Sequence, residues 1–401
     1  MESRISTGMM FSQSVANMLT KQSKLQHLQQ QLASGQRLVT AKDDPVAAGT
    51  AVGLDRAVAQ LARFGENANN VQNRLGLQEN ALAQAGDLMT RVTELTIEAN
   101  NASLTTDDRK AIASELQSIK GSLMALANST DGSGRYLFGG TADNSAPFAE
   151  TGGQVVYNGD QTQRQVEVAA DTFIGDSLPG SEIFMRIRTG DGTVDAHPGS
   201  GNTGTALLLD FSRDASSGTY GGQSYTLQFT AADAYEVQDA NGNVLSSGTY
   251  TAGEDISFNG VRLRLDGVPA AGDSMQVGPS TNKDVFSTLT DLIGALNTDP
   301  SSDPDRATLQ NALQSSMRDV KLASAKMIDA RASGGAQLAA IDNAAELRAS
   351  NEVTLKTTLS SIRDLDYAEA IGQYQLETAA LQAAQTVFRQ MQSMSLFQMI
   401  G

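Results

Sequence analysis

Apolar residues recur at helical spacing near the start of the chain. In residues 8–33 they follow the alternating four-and-three spacing of a heptad seam: Phe11, Val15, Met18, Leu25 and Leu32. A second seam from Leu54 to Met89 runs within residues 45–100. These patterns predict two long helices, and the second would be roughly 80 Å long if straight.

Residues that typically end or cap helices lie between and after the two heptad seams. Gly35 predicts the end of the first helix, and Asp44 before Pro45 predicts the cap and first residue of the second. Thr105 followed by Asp108 predicts a capping box at the start of a third helix. One face of that helix is apolar, with Ile112, Leu116, Ile119, Leu123 and Leu126.

The middle of the chain, about residues 131–279, has a different pattern. Gly, Asn, Asp and Ser become frequent, and short runs such as GRYLFGG, QVVYNGD, RQVEVAA, SYTLQFT and SFNGVRLRLDG alternate as strands do. Asn158-Gly159 and Asn241-Gly242 predict hairpin turns, because Asn-Gly tolerates positive φ. An antiparallel β region is therefore predicted between two helical parts.

Helical spacing returns near Thr281, and Asp303-Pro304 predicts the cap and the start of a long helix. The last helix carries two apolar stripes. One stripe is Ile371, Tyr374, Leu381, Phe388 and Met391, and the other is Leu376, Ala380, Ala383, Val387 and Met394. Two stripes predict burial on more than one side of the helix.

The predicted fold is mainly α with an inserted β domain, in which both termini form a long antiparallel helical bundle or coiled coil. Residues 1–45 have a net charge of +2 and residues 361–401 a net charge of −2, which favours pairing of the ends. We predict three domains: residues 1–45 with 361–401 as a terminal coiled coil, residues 46–180 with 280–360 as a helical rod that includes a β-hairpin part, and residues 181–279 as an outer β domain.

Composition excludes several classes of function. The net charge of −16 disfavours nucleic-acid binding, which needs clustered Lys and Arg. The chain has no Cys and only two His, so it offers few ligands for zinc and no thiol for catalysis. There is no apolar run of 18 residues, and the opening MESRISTGMMFSQS lacks a secretory h-region, so we expect neither a membrane partner nor a cleaved signal.

Candidate catalytic and ligand-binding groups have simpler interpretations. The stretch HPGSGNTG lacks the Lys-Ser or Lys-Thr of a phosphate loop. The neighbouring carboxylates Asp43 and Asp44, like Asp364 and Asp366, do not converge on one substrate atom, and His27 lies among glutamines in a helix. We therefore predict no catalytic, metal or cofactor site, and no enzyme activity.

The apolar terminal helices are the candidate functional site. From Thr378 to Gly401 the chain carries one charge, Arg389. A segment so poor in charge predicts an interface for other subunits or for a chaperone. The predicted interface residues are Phe11, Val15, Met18, Leu25, Leu32, Leu376, Leu381, Val387, Phe388, Met391, Met394, Leu396 and Phe397.

Four stretches carry a family resemblance: RISTGMMFSQSVANM, LASGQRLVTAKDDPVAAG, IRDLDYAEAIGQYQ and SLFQMIG. In order and placement they resemble the bacterial flagellin superfamily. Residues 4–7 and 395–397 favour its hook–filament junction members over flagellins. The stretch DISFNGVRLRLDGVPAAGDSMQVG resembles a β element of hook-associated proteins.

The resemblance implies a structural part of the flagellum. It implies an inner layer of terminal helices, a rod-like middle layer and an outer β domain. It also implies a closed ring of about eleven subunits that joins hook-associated protein 1 to flagellin. Export through the flagellar type III channel, and a cytosolic chaperone on the C-terminal helix, follow from the same resemblance.

Two alternatives remain open from the sequence. The chain could be a flagellin, the filament subunit itself, or a secreted adhesin that binds glycans through residues 220–277. Arg91, Glu94, Leu95 and Glu115 also resemble the surface that innate receptors recognise in flagellins.

Overall fold

The fold was analysed in a computed structural model, which describes the backbone of residues 7–101 and 103–400 and the side chains of residues 9–101 and 103–391. The α-helices are α1 Thr7–Ser34, α2 Pro45–Ala99, α3 Thr106–Ala127, α4 Val285–Leu296, α5 Asp303–Arg363 and α6 Tyr367–Ile400. The strands are β1 Phe148–Thr151, β2 Gln154–Tyr157, β3 Gln165–Ala169, β4 Thr172–Gly175, β5 Ile187–Arg188, β6 Val194–Pro198, β7 Leu207–Arg213, β8 Tyr225–Ala231, β9 Ala234–Asp239, β10 Val244–Thr249, β11 Asp255–Phe258, β12 Val261–Asp266, β13 Ser274–Pro279 and β14 Asn282–Lys283. The predicted fold class, helical ends around an inserted β region, is confirmed.

Local signals fixed most helix ends. Gly35 follows α1 with a φ of +68°, a left-handed conformation that favours glycine. Asp44 caps α2, because its carboxylate accepts hydrogen bonds from the backbone N–H groups of residues 46 and 47. Thr105 and Asp108 form the predicted capping box of α3.

The start of α5 differs from the prediction in its capping residue. Asp303 is the first helical residue, and the reciprocal hydrogen bonds run between Ser302 and Asp305. The Asp-Pro signal therefore located the helix correctly but named the wrong cap, because Ser302 has an acidic partner three residues later and Asp303 does not.

The chain divides into two compact units. The terminal unit comprises Met1–Glu66 and Ala344–Gly401, and the central unit comprises Asn67–Asn343. Helices α2 and α5 each contribute residues to both units. The three-domain division made from the sequence remains a prediction.

The helical part of the central unit has one apolar core. It combines α2 residues from Ala81 onward with α3, α4 and the first part of α5. Fully buried aromatic rings fill the space beside the helices, and the Phe138 and Phe184 rings meet edge to face with centroids 5.3 Å apart. The later part of the α2 seam thus faces a core closed within this chain, with Leu82 and Met89 buried in it.

A second core lies in the β part of the central unit. A five-stranded sheet has the order β10-β9-β8-β13-β6, a three-stranded sheet has the order β11-β12-β7, and the pairings within both are antiparallel. Alternate residues of β8 and β12 are buried, as expected for strands with one face on a core.

Two strand predictions were wrong. Asn241-Gly242 does join the paired strands β9 and β10, but Asn158-Gly159 follows β2 and joins no hairpin, because β2 pairs with β1 and β3 pairs with β4. The run GRYLFGG forms no strand, although Leu137 and Phe138 are buried. At Asn158-Gly159 the flanking strands already pair elsewhere, and in GRYLFGG Tyr136 forms an isolated antiparallel bridge with Thr130 that does not extend into a strand.

Helix α5 holds the β part of the central unit through polar and aromatic contacts. The Asn311 amide accepts a bond from the backbone N–H of Leu208 and donates to the carbonyl of Ala206, both at 2.9 Å. It therefore completes backbone hydrogen bonds at the start of β7. The Arg318 guanidinium lies 5.0 Å from the centre of the Phe211 ring.

A buried ion network holds residues 131–176 against α2. Arg74 is 7% exposed, and its guanidinium lies 2.9 Å from the Asp131 carboxylate and 3.5 Å from those of Asp143 and Asp176. Arg164 also contacts Asp143 and Asp176, at 2.8 and 3.4 Å. Each buried carboxylate therefore has more than one cation to offset its loss of hydration.

The network also shifts the titration of Asp131. Burial raises the pKa of this carboxyl. Hydrogen bonds from Ser133 and the Arg135 N–H, together with the charge of Arg74, lower the pKa by more than burial raises it. The net pKa lies below the ordinary value. A carboxylate of this kind stabilises the fold above its unfolded pKa, and that contribution is lost as the pH falls through the folded pKa.

We expect Arg74→Met to lower the free energy of unfolding of the central unit by about 3 kcal/mol, because it leaves buried carboxylates short of a cation. Urea unfolding followed by circular dichroism measures this. The matched control is Arg91→Met, which removes a half-exposed arginine that contacts Glu94 and Glu115 on the surface. Equal effects of the two substitutions would contradict the importance of the buried network.

Candidate interface on the terminal helices

Within the terminal unit, the break between α1 and α2 pairs with the break between α5 and α6. Gln36 and Asp364 form an isolated antiparallel bridge. Beside it, the backbone N–H of Arg37 donates to the carbonyl of Arg363 at 2.7 Å. Two interruptions that are distant in sequence are thus joined by backbone hydrogen bonds.

Side chains close the same junction. The Arg37 guanidinium donates two bonds, of 3.1 and 2.8 Å, to the carbonyl of Ile362 in the last turn of α5. The end of a helix leaves carbonyls without helical partners, so Arg37 caps α5 from the other end of the chain. Gly35 is needed beside Tyr367, because a Cβ there would lie 2.7 Å from the tyrosine hydroxyl.

Beyond the junction, α1 and α6 pack as an antiparallel pair. The rings of Phe11 and Phe388 lie 4.9 Å apart, and the amide of Gln29 donates to the Tyr374 hydroxyl at 2.9 Å. The contacts run in opposite directions along the two helices, so early residues of α1 meet late residues of α6. This is the predicted pairing of the two ends.

A charged clamp lies between these contacts. Lys21 and Lys24 of α1 both bind the Glu377 carboxylate of α6, at 2.8 and 2.7 Å. Hydrogen bonds from the two ammonium groups lower the pKa of Glu377 from 4.5 to about 2. The opposite charges of the two ends are visible in the sequence. The clamp of Lys21, Lys24 and Glu377 is not, because it depends on the register of α1 on α6.

The predicted interface residues divide into two groups. The half-buried group faces the partner helix or its edge: Val15, Met18, Leu25, Leu32, Leu381, Phe388 and Met391. Phe11 is half exposed although it touches Phe388, while Leu376 and Val387 are 70% and 53% exposed. Met394, Leu396 and Phe397 lie outside the residues whose side chains are described.

In the first stripe of α6, Tyr374 and Phe388 contact α1 whereas Ile371 is 45% exposed, so exposed apolar residues occur on both stripes. Leu376 and Val387 belong to the second stripe. On α1, Leu19 is 60% exposed and Met9 is also exposed, although the sequence analysis did not select either residue. They lie off the heptad seam, and their apolar character was the signal that could have identified them.

The polar candidates in this unit have structural roles. Asp43 accepts bonds from the N–H groups of Val39 and Thr40, and the bond from Thr40 lowers its pKa. His27 lies 3.6 Å from the Asp43 carboxylate, which shapes this turn. Among the described residues there is no group of three or more His, Cys, Asp or Glu side chains placed to hold a metal ion.

Two further surface properties concern residues of the central unit and the apolar content of the helices. Arg91 bonds to Glu94 and Glu115, but Leu95 is 1% exposed, so these four residues do not form one accessible surface. None of the helices, over the residues described, has the length and apolar content that crossing a bilayer requires.

Comparison with known proteins points to one group of flagellar components. A family model, bacterial flagellin N-terminal helical region, matches residues 5–143. The chain is 28% identical to flagellar hook-associated protein 3 of Salmonella typhimurium, over 99% of each sequence.

Solved structures agree with the sequence match. FlgL of Xanthomonas campestris is 67% identical, covering 77% of this chain and 99% of that one, with a TM-score of 0.74. The flagellar junction protein FlgL from Legionella pneumophila is 27% identical, covering 79% of this chain and 100% of that one, with a TM-score of 0.69.

The lysine clamp predicts how Glu377 titrates. Above the unfolded pKa of 4.5 the ionised carboxylate stabilises the α1–α6 pair, and this contribution is lost as the pH falls towards the folded pKa of about 2. We expect Lys21→Gln with Lys24→Gln to return the midpoint of Glu377 towards 4.5. Carboxyl-carbon NMR titration measures the midpoint, and an unchanged value in the double variant would show that another group holds it down.

Proposed function

The chain belongs to the FlgL family of flagellar hook-associated proteins, and from that premise we propose that it forms the junction between the hook and the flagellin filament. As a member of this family it is a structural component of the bacterial flagellum. The observation that carries the finer proposal is its similarity, over 79% of this chain, to the flagellar junction protein FlgL from Legionella pneumophila. A filament subunit is a weaker alternative, since the full-length match is to hook-associated protein 3.

The terminal unit supplies the assembly surface in this proposal. Pairing of α1 with α6 leaves a stripe of exposed apolar side chains on α6, including Leu376 and Val387. In a subunit that stays alone, such side chains would gain nothing from exposure to water. In a ring of about eleven copies, each copy covers this stripe of its neighbour.

The proposed division of labour follows the chain. Residues 1–45 with 361–401 assemble the inner layer, residues 46–180 with 280–360 form the helical middle, and residues 181–279 form the outer domain. The ring receives hook-associated protein 1 on one side and flagellin on the other. This order rests on the resemblance and on family membership.

Export and protection of the last helix complete the proposal. The chain leaves the cell through the flagellar type III channel. Before export, a cytosolic chaperone holds the C-terminal helix, whose residues 378–401 carry one charge. Methionine and glutamine in that helix suit a surface that meets different partners in turn.

Deletion of the gene tests the junction role. We expect cells that keep their hooks, lose their filaments and release flagellin monomers into the medium, because the filament then has no base on which to grow. Electron microscopy of the cell surface and immunoblots of the medium measure both effects. Normal filaments on such cells would exclude the junction role.

Complementation with surface variants tests the assembly surface. We expect Leu376→Gln with Val387→Gln to be exported but to restore less than about a tenth of the filaments, since each change removes roughly 1–2 kcal/mol of apolar burial between copies. The matched control is Val244→Gln with Leu245→Gln, two similarly exposed residues on β10 of the central unit. If both pairs complemented equally, the α6 stripe would not be the assembly surface.

A further inference from the structure

A cavity of about 310 Å³ lies in the helical part of the central unit. It is lined by the end of α2, the turn that follows it, the first turns of α3 and α5, and Pro300 just before α5. Its apolar lining includes the buried Leu309 and Leu313 and the half-buried Leu104. Three helices therefore enclose a volume of the size that small ligands occupy.

The charged groups that line this cavity are cations. They are the guanidinium groups of Arg109 and Arg306, and among the described residues no Asp or Glu lines the cavity with them. Helices α3 and α5 also begin here, and the N-terminus of a helix carries a partial positive charge. In a chain with a net charge of −16, this cavity is thus a local site of positive potential.

The acidic side chains at the two helix starts are engaged outside the cavity. Asp108 accepts hydrogen bonds from the backbone and hydroxyl of Thr105, and Asp305 accepts them from Ser302. Asp303 pairs with Arg306, but both side chains of that pair are largely exposed. An exposed pair of this kind is weak, so Arg306 remains able to attract a second anion.

Arg109 is a buried cation with donors to spare. The residue is 9% exposed, and two of its N–H groups bond to the Leu104 carbonyl and the Thr106 hydroxyl, both at 3.0 Å. Its Nε is buried and has no hydrogen-bond partner among the described residues. A buried charge is costly unless a counter-ion and hydrogen bonds offset its lost hydration, so an anion bound here would be strongly favoured.

We propose that this cavity binds an organic carboxylate, with the carboxylate on Arg109 and the apolar body against the leucines. A carboxylate matches the planar guanidinium and can accept from the unpaired Nε–H. A phosphate would need more donors than a cavity lined partly by leucine supplies. The ligand is a free aliphatic acid or the acidic side chain of a protein partner, since both present the same group on an apolar stem.

Isothermal titration calorimetry of the purified full-length chain tests the proposal, with acetate, butanoate and hexanoate as probes. We expect each added methylene to tighten binding by up to about fourfold, because it is buried against the leucines. Hexanamide, a neutral molecule of the same shape, should bind at least about tenfold more weakly than hexanoate. Absence of hexanoate binding overturns the proposal. Equal binding of hexanoate and hexanamide overturns the role of charge, and affinity independent of chain length overturns the apolar contact.

Arginine variants locate the site. We expect Arg109→Gln to weaken hexanoate binding more than about tenfold and Arg306→Gln to weaken it less, because Arg306 is exposed. The matched control is Arg91→Gln, which changes a half-exposed arginine outside the cavity and should leave binding unchanged. Thermal unfolding checks that each variant keeps its fold. Hexanoate binding retained in both cavity variants would place the anion elsewhere.

The Nε–H signal of Arg109 in nitrogen-15 NMR gives the same information without a substitution in the core. It should shift as hexanoate saturates the natural chain and stay in place with hexanamide. An unmoved signal while hexanoate binds would overturn the role of Arg109.

Capped peptides distinguish the two sources of the carboxylate. The probes are Leu-Glu-Leu, whose only carboxylate is the side chain, and Leu-Gln-Leu as its neutral control. Tighter binding of the Glu peptide than of hexanoate supports a protein partner, and the reverse supports a free acid. Equal binding of the two peptides would overturn recognition of a side-chain carboxylate.

Discussion

The antiparallel pairing of α1 with α6 is the interaction on which the terminal unit depends. It joins segments that are far apart in sequence, since Lys21 and Glu377 are separated by 356 positions. Neither helix can bury its apolar stripe against a neighbour in sequence, so each needs the other end of the chain. The Arg37 cap on Ile362 and the bridge beside it set where this pairing begins. Burial of apolar surface drives the pairing, and the clamp and the cap fix its register.

The two units differ in how they bury apolar and charged side chains. The central unit closes its cores within one chain and tolerates buried charge, because Arg74 is surrounded by carboxylates with defined partners. The terminal unit leaves apolar side chains such as Leu376 in water and balances its charges. A unit with closed cores and a pair of helices with exposed apolar side chains together suit a subunit made to join others.

Sequence patterns predicted those features that depend on a few neighbouring residues. Gly35, Asp44 and the Thr105–Asp108 box act within one turn, and their local chemistry was sufficient. The hairpin predicted at Asn158-Gly159 does not form, because a hairpin also needs a second strand in register and β2 already pairs with β1. The clamp on Glu377 depends on helix register, which long-range packing decides. The sequence identified apolar stripes on α6, but the packing of α1 decides which residues of these stripes are covered.

The distance in sequence between the paired ends has a consequence for biosynthesis. Translation proceeds from the N-terminus, so α1 emerges from the ribosome long before α6 exists. Throughout that interval the central unit can collapse around its own cores, whereas the first helix has no partner. The nascent chain must therefore keep α1 unpaired until α6 has been synthesised, so the terminal unit can form only after the central unit has been made.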